Sequence, residues 1–317
     1  MSKTHRLALE QVELAARSID PLFLNTPQFV CEPLGEELGV RVALKVETLN
    51  PIRSFKGRGA DFLVSQLRTR APLMCASAGN FGQAMAYACR RRNIPLTVYA
   101  SIHANPLKLE RMRALGARVI QHGEDFDAAK LAAKQAVLDQ GARFVEDGLD
   151  VETLAGAGTM GLEWAAFPEP LDALLVPLGN GAMFSGLARV MKTRNPRTRM
   201  IAVQAAGAPA MVESWRAARL IVHERIDTIA DGIGVRVPIA AALDDMRGLA
   251  DDALLVREDS ILRGMRLLHR HAGIVAEPSA AVGIAALLEH GDRFHDQLAG
   301  TVVCGGNLTE EQIRAWL

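Results

Sequence analysis

The stretch Asn50-Pro51-Ile52-Arg53-Ser54-Phe55-Lys56-Gly57-Arg58-Gly59-Ala60 decides how this chain is read. It follows an alternating apolar run, Val42-Ala43-Leu44-Lys45-Val46-Glu47, and precedes a helical pattern from about Ala60 to Arg70. A lysine therefore stands on a strand-to-helix turn, with an aromatic before it and small residues after it. An amine is a nucleophile only when uncharged, and partial burial beside other cations is how proteins lower its pKa. Phe55 is placed to supply the low-dielectric wall, and Arg53 and Arg58 to supply like charge. A solvated basic turn would have the same composition, so the rest of the chain must separate the two readings.

Outward from this turn, short strand-like runs alternate with longer helical ones, the pattern of an α/β fold with parallel sheets. The apolar runs predict strands at Val42–Val46, Leu73–Ser77, Leu96–Ala100, Arg118–His122, Leu174–Pro177, Met200–Gln204, Leu254–Val256 and Thr301–Cys304. Several are apolar almost throughout, as in strands covered on both faces. Helices are predicted at Phe81–Arg92, Pro106–Leu115, Asp125–Gln140, Met183–Arg194, Ser260–His271, Ser279–Glu289 and Thr309–Leu317, with Gly116 and Gly273 at C-terminal caps. The run Arg90-Arg91-Arg92 closes a helix, where cations offset the helix dipole.

Composition narrows the function classes. At 317 residues the chain is long enough for a large core and for two lobes. Lys+Arg and Asp+Glu both number 36, so no net field points to nucleic acid or an acidic membrane surface. No apolar run reaches the roughly 18 residues of a membrane span. The start, Met1–Ala16, mixes charges with leucines at helical spacing and lacks the apolar centre of a signal peptide, so the cytoplasm is the expected compartment. The four cysteines, Cys31, Cys75, Cys89 and Cys304, have neither zinc-site nor disulfide-framework spacing. The expected partner is a small molecule.

Two further turns resemble ligand sites. In Ala76-Ser77-Ala78-Gly79-Asn80-Phe81-Gly82-Gln83 a strand end opens a helix, whose first amides lack partners and favour an anion such as a carboxylate. A plain turn with Asn80 as helix cap is the alternative. Val176-Pro177-Leu178-Gly179-Asn180-Gly181-Ala182-Met183-Phe184-Ser185-Gly186 repeats the arrangement, and its small residues let backbone amides approach a phosphate. The third glycine of a dinucleotide fingerprint is missing, and Met200–Gln204 offers no acidic group for a ribose, so a monophosphate cradle fits better. Thr301-Val302-Val303-Cys304-Gly305-Gly306-Asn307 ends a strand in a Gly-Gly turn. Cys304 is either a core thiol or a neutral partner for a ring nitrogen.

Taken together, Leu44-Lys45-Val46-Glu47, Ser54-Phe55-Lys56, Ser77-Ala78-Gly79-Asn80, the Gly179–Ala182 loop, Ala276-Glu277-Pro278-Ser279 and Cys304-Gly305-Gly306-Asn307 resemble, in this order, the fold-type II pyridoxal-phosphate enzymes, and within them the serine/threonine dehydratases (ammonia-lyases). The resemblance spans about Thr26 to Asn307. It implies a two-lobed α/β fold, tryptophan synthase β-like, each lobe a mainly parallel sheet flanked by helices. Residues 72–146 would form a small substrate-carboxylate domain, and 1–71 with 147–317 a large cofactor-binding domain. Lys56 would be joined to pyridoxal 5'-phosphate, with Phe55 against the ring and Asn80 at its ring oxygen. Gly179, Asn180, Gly181, Ala182 and Met183 would hold the phosphate, and Cys304 would face the pyridine nitrogen. Ser77, Ala78, Gly79, Asn80 and Gln83 would receive the amino-acid substrate. A homodimer is implied as well.

The departures carry information. Family members have a run of glycines where this chain has Gly179-Asn180-Gly181-Ala182, and a His where it has Phe81. Racemases that resemble the dehydratases place a second proton donor at the position of Ala78, so racemisation is not expected. Acidic metal ligands of several relatives would fall near Ala206–Ala210, which reads Ala-Gly-Ala-Pro-Ala, so no divalent metal is expected there. No regulatory domain is expected beyond Leu317. The implied activity is β-elimination of a β-hydroxy amino acid such as L-threonine or L-serine to a 2-oxo acid and ammonia, with Lys56 taking the Cα proton. The alternatives are a β- or γ-replacement synthase of the same fold, disfavoured by Gly57 where synthases have Asp, a non-catalytic protein binding cofactor or amino acid, and lastly a dinucleotide-dependent oxidoreductase.

Overall fold

Ten strands, among residues 5–317 that the computed structural model describes, form two sheets. Met1–Thr4, the start of the charged N-terminal stretch, lie outside the described residues. The strands are β1 Gln28–Val30, β2 Arg41–Val46, β3 Leu73–Ala76, β4 Leu96–Ala100, β5 Arg118–Gln121, β6 Arg143–Val145, β7 Ala173–Pro177, β8 Arg199–Ala205, β9 Asp252–Val256 and β10 Leu298–Val303. The six-stranded sheet runs β1-β2-β10-β7-β8-β9, parallel throughout except for β1, which is antiparallel to β2 at the edge. The four-stranded sheet runs β5-β4-β3-β6 and is wholly parallel. One of its two inner strands, β3, is buried at every position, as its unbroken apolar sequence requires.

Apolar packing does not stop at residue 72. One core surrounds the six-stranded sheet. A second joins Val12 and Phe23 to Phe62 and Leu63, then to Leu73 and Val98 of the four-stranded sheet, and reaches Val190. The arginine run reinforces this seam, with Arg91 paired to Asp20 and Arg92 to Asp61 at 2.5 Å.

Three differences from the sequence expectation have physical causes. Strands β1 and β6 are only three residues long, too short for an alternating pattern to register. The helix after Lys56 begins at Lys56 itself, not near Ala60, and ends at Ser65. The helix Val151–Ala165 carries Gly156, Gly158 and Gly161, which argue against a helix on propensity. Packing overrides that preference, because a Cβ at Gly156 would sit 2.5 Å from the Arg58 carbonyl oxygen on the neighbouring helix.

Beneath this crossing lies a buried charge network. Arg58, fully buried, donates to Glu47 at 2.9 and 2.8 Å and to Glu163 at 2.6 and 3.1 Å, and Lys45 pairs with Glu163 at 2.5 Å. Burial opposes the Arg58 charge, but Glu47 and Glu163 overcome it and hold its pKa above the ordinary value. For Lys45, burial dominates and the pKa is lowered despite the same carboxylates. Breaking a buried pair from one side leaves an uncompensated charge. Arg58→Met is therefore expected to cost about 3–5 kcal/mol in urea unfolding, and a loss below about 1 kcal/mol would contradict this role.

Candidate active site

The carboxyl ends of β3, β7 and β10 face one cavity of about 540 Å³, the crevice where parallel sheets bind ligands. Lys56 enters it from the first turn of its helix. Its place is set by the strand beside it: β10 pairs in register with β2, Val303 opposite Val46. The Cys304 carbonyl then accepts from Phe55 N at 3.0 Å and from Ser54 Oγ at 3.2 Å. Asn50 braces the same turn, its Oδ1 accepting from Ile52 N and Ser54 N.

The Lys56 ammonium lies 4.6 Å from the centre of the Phe55 ring, so the expected apolar wall is present. The expected like charges are not. Arg58 points into the buried network, and Arg53 lines a separate depression. The charged neighbour of Lys56 is a carboxylate, Asp147, with which Nζ is paired. Asp147 in turn accepts from Asn180 Nδ2, at its carbonyl at 2.9 Å and at Oδ2 at 2.6 Å, which ties the Gly179–Ala182 loop to the lysine.

That loop presents bare amides. Among the described residues, none accepts from the backbone N–H of Gly179, Asn180 or Gly181, which precede the helix Ala182–Arg194. Gly181 has φ +93°, a conformation costly for any residue with a Cβ. Ala182 differs from expectation: its amide is already engaged by Asn180 Oδ1 at 3.3 Å, and the residue does not line the cavity. Met183 does.

At the end of β3, Ser77 Oγ accepts from Gly82 N at 2.9 Å and Gly79 N at 3.2 Å, folding the turn so that Ser77, Ala78, Gly79 and Asn80 line the cavity. Asn80 does not cap its helix. Its Nδ2 donates to Glu277 Oε1 at 2.7 Å, and its Oδ1 accepts from Asn307 Nδ2 at 2.9 Å. Gln83, one turn further along, is buried away from the cavity and lines a second depression with Arg53, Arg90 and Arg111. The helix carries it past the site.

Cys304 lies at the cavity with Lys56 and Asn80. Burial pushes its thiol well above the ordinary range, and Glu277 adds to the effect, so it is neutral. Glu277 is buried, and desolvation raises its carboxyl to about 7, against the opposing pull of Lys108. The sequence names Glu277 only within Ala276-Glu277-Pro278-Ser279, without a role, and does not single out Asp147 or Lys108. Asp147 follows a strand too short to be seen, and Lys108 sits in a helix whose sequence marks no inward face.

The fold and site together define a class. A model of the pyridoxal-phosphate dependent enzymes matches residues 19–305, and the chain belongs to that family. It is 33% identical over 310 residues to the L-threonine ammonia-lyase of Thermotoga maritima, covering 97% of this chain and 77% of that protein. Among solved structures it is similar to the T.th. threonine deaminase, with TM-score 0.90 and 30% identity over 95% of this chain and 99% of that one. Maize serine racemase superimposes with TM-score 0.91 and 25% identity, over 98% of this chain and 96% of that one.

The residues present fit pyridoxal phosphate. Three consecutive partnerless amides at a helix start suit its phosphate, and a neutral thiol suits an unprotonated ring nitrogen. Ser279 Oγ, buried and without a partner among the described residues, lines the same cavity.

Glu277 gives the site a pH signature. Its folded pKa is raised, so the folded state binds more protons than the unfolded state between the ordinary carboxylate range and about 7. Its contribution is thus present at low pH and lost as pH rises through about 7. The stability of Glu277→Gln relative to the parent is expected to increase from pH 5 to pH 8 in parallel urea titrations. A pH-independent difference would contradict the raised carboxyl.

Proposed function

We propose that this chain catalyses β-elimination of a β-hydroxy amino acid, such as L-threonine or L-serine, to a 2-oxo acid and ammonia. The observation that carries the proposal is the convergence of Lys56, the partnerless Gly179–Gly181 amides and the neutral Cys304 thiol on one cavity. The name of the Thermotoga maritima relative, an L-threonine ammonia-lyase, supports the reaction type.

When bound, pyridoxal phosphate supplies an electron sink for the charge that develops at Cα. The Gly179, Asn180 and Gly181 amides and Met183 would hold its phosphate, Phe55 would pack on its ring, Asn80 would face its ring oxygen, and Cys304 its nitrogen. The Ala78 and Asn80 amides of the Ser77–Asn80 turn would take the substrate carboxylate. Lys56, released as a free amine, would remove the Cα proton, and the β-hydroxyl would leave as water. The released enamine takes up water to give the 2-oxo acid and ammonia. A neutral thiol makes the sink weaker than an ionic partner would, which favours prompt loss of the hydroxyl over side reactions. Ala78 offers only a methyl to the opposite face, so racemisation is not part of the proposal.

The division into a small domain, 72–146, and a large one from both flanking segments belongs to the same proposal. So do a homodimer, which rests on the family resemblance, and a cytoplasmic location, which four unpaired cysteines favour. Among the described residues no helix is long and apolar enough to cross a membrane.

The test is keto-acid release from a panel of β-hydroxy amino acids, with and without an added thiol. Lys56→Ala is expected to lower release by about a thousandfold or more, as loss of both attachment and base requires. Unchanged ammonia release, or a thioether product when thiol is added, would overturn the assignment.

A further inference from the structure

Lys108 is a buried cation of the cavity that the proposed elimination does not use. It projects from the helix Pro106–Ala114, its side chain is 7% exposed, and its ammonium pairs with Asp231 Oδ2 at 2.6 Å. Asp231 belongs to the short turn Asp231–Ile233, and its own side chain is 60% exposed. The pair is therefore lopsided, with a buried ammonium held by a carboxylate that stands largely in water. Separating such a pair costs the carboxylate little, whereas the ammonium cannot be left without an anion.

The lysine also has a second neighbour. A Cβ built on Gly79 would meet nothing within 4 Å except Lys108, with Nζ at 3.9 Å and Cδ at 4.0 Å. The ammonium thus overhangs the Ser77–Asn80 turn. Two amides of that region, Gly79 and Gly82, are taken by Ser77 Oγ, while among the described residues none accepts from the Ala78 or Asn80 amides. An anion on those amides would lie beneath Lys108.

Of the other cations of the cavity wall, Arg225 stands exposed in water, and the rest have carboxylate partners. Lys56 pairs with Asp147, Lys130 with Asp127 and Glu146, and Arg236 with Asp125 and Asp127. Arg111, on the same helix as Lys108, turns to Asn307. Glu277 adds negative charge near Lys108 but gives its own oxygens to Asn80 and Asn307.

We propose that Lys108 is a second anchor for the substrate's α-carboxylate, and that Asp231 is a placeholder that holds the ammonium until the substrate displaces it. This rests on the elimination proposed above and adds to it a substrate-exchanged ion pair. The two partners then act in opposite senses. Lys108 binds substrate, whereas Asp231 competes with it.

The experiment compares the parent holoenzyme with Lys108→Met, Lys108→Arg and Asp231→Asn. L-Serine gives KM and kcat. The absorbance of the bound cofactor reports binding of L-alanine and of ethylamine, its analogue without the carboxylate. Lys108→Met is expected to raise KM about 10- to 100-fold, the worth of a charge-assisted hydrogen bond, with kcat changed much less. It should weaken L-alanine by a similar factor and leave ethylamine unaffected. Lys108→Arg should restore most of the loss, and Asp231→Asn should lower KM. Equal increases in KM for Lys108→Met and Asp231→Asn would show a merely structural bridge and overturn the proposal, as would equal weakening of L-alanine and ethylamine. If the parent binds L-alanine but releases no keto acid, the elimination fails, and the alanine-to-ethylamine ratio still decides the role of Lys108.

Discussion

The Cys304 carbonyl accepts from Phe55 N at 3.0 Å and Ser54 Oγ at 3.2 Å, so the end of β10 fixes the start of a helix 250 residues away in sequence. Everything at the site follows from that junction. It sets Lys56 at the carboxyl edge of the six-stranded sheet, brings the Cys304 thiol to the same cavity, and leaves the helix free to pack on Val151–Ala165. The backbone there leaves no room for side chains. A Cβ at Gly305 would run into Glu277 Oε1, and one at Gly306 would come within 2.7 Å of the Val275 carbonyl oxygen. A long-range junction of this kind is specified only once β2 and β10 pair in register.

Two layers of charge surround the junction and serve different ends. Below it, Arg58, Lys45, Glu47 and Glu163 form a buried cluster whose members satisfy one another. Above it, the cavity's charges pair across its walls, Lys56 with Asp147 and Lys108 with Asp231. The first layer is sealed, since Arg58 and Glu47 are wholly buried. The second includes an exposed member, Asp231, and can change partners at small cost.

Much of this was legible in the sequence because the chemistry sits in turns. Ser54-Phe55-Lys56, Ser77–Asn80, Gly179–Gly181 and Cys304 each follow an apolar strand, and a parallel sheet gathers such turns at one edge. What was not legible depended on contacts between distant segments. Asp147 takes its meaning from Asn180, and Lys108 from a residue on the far side of the cavity. Arg58 read as a neighbour of Lys56 because it is close in sequence. Two residues along the helix, a little over half a turn, direct it to the opposite side, into the buried cluster. Gln83 was misplaced for the same reason, since three residues along a helix carried it out of the cavity.

The most direct test of the central claim is to locate the amine that holds the cofactor. The protein is incubated with pyridoxal 5'-phosphate, reduced with borohydride, digested and mapped by mass spectrometry. The junction at Cys304 predicts a single reduced adduct on Lys56. An adduct on Lys108 or another lysine, with Lys56 unmodified, would contradict it.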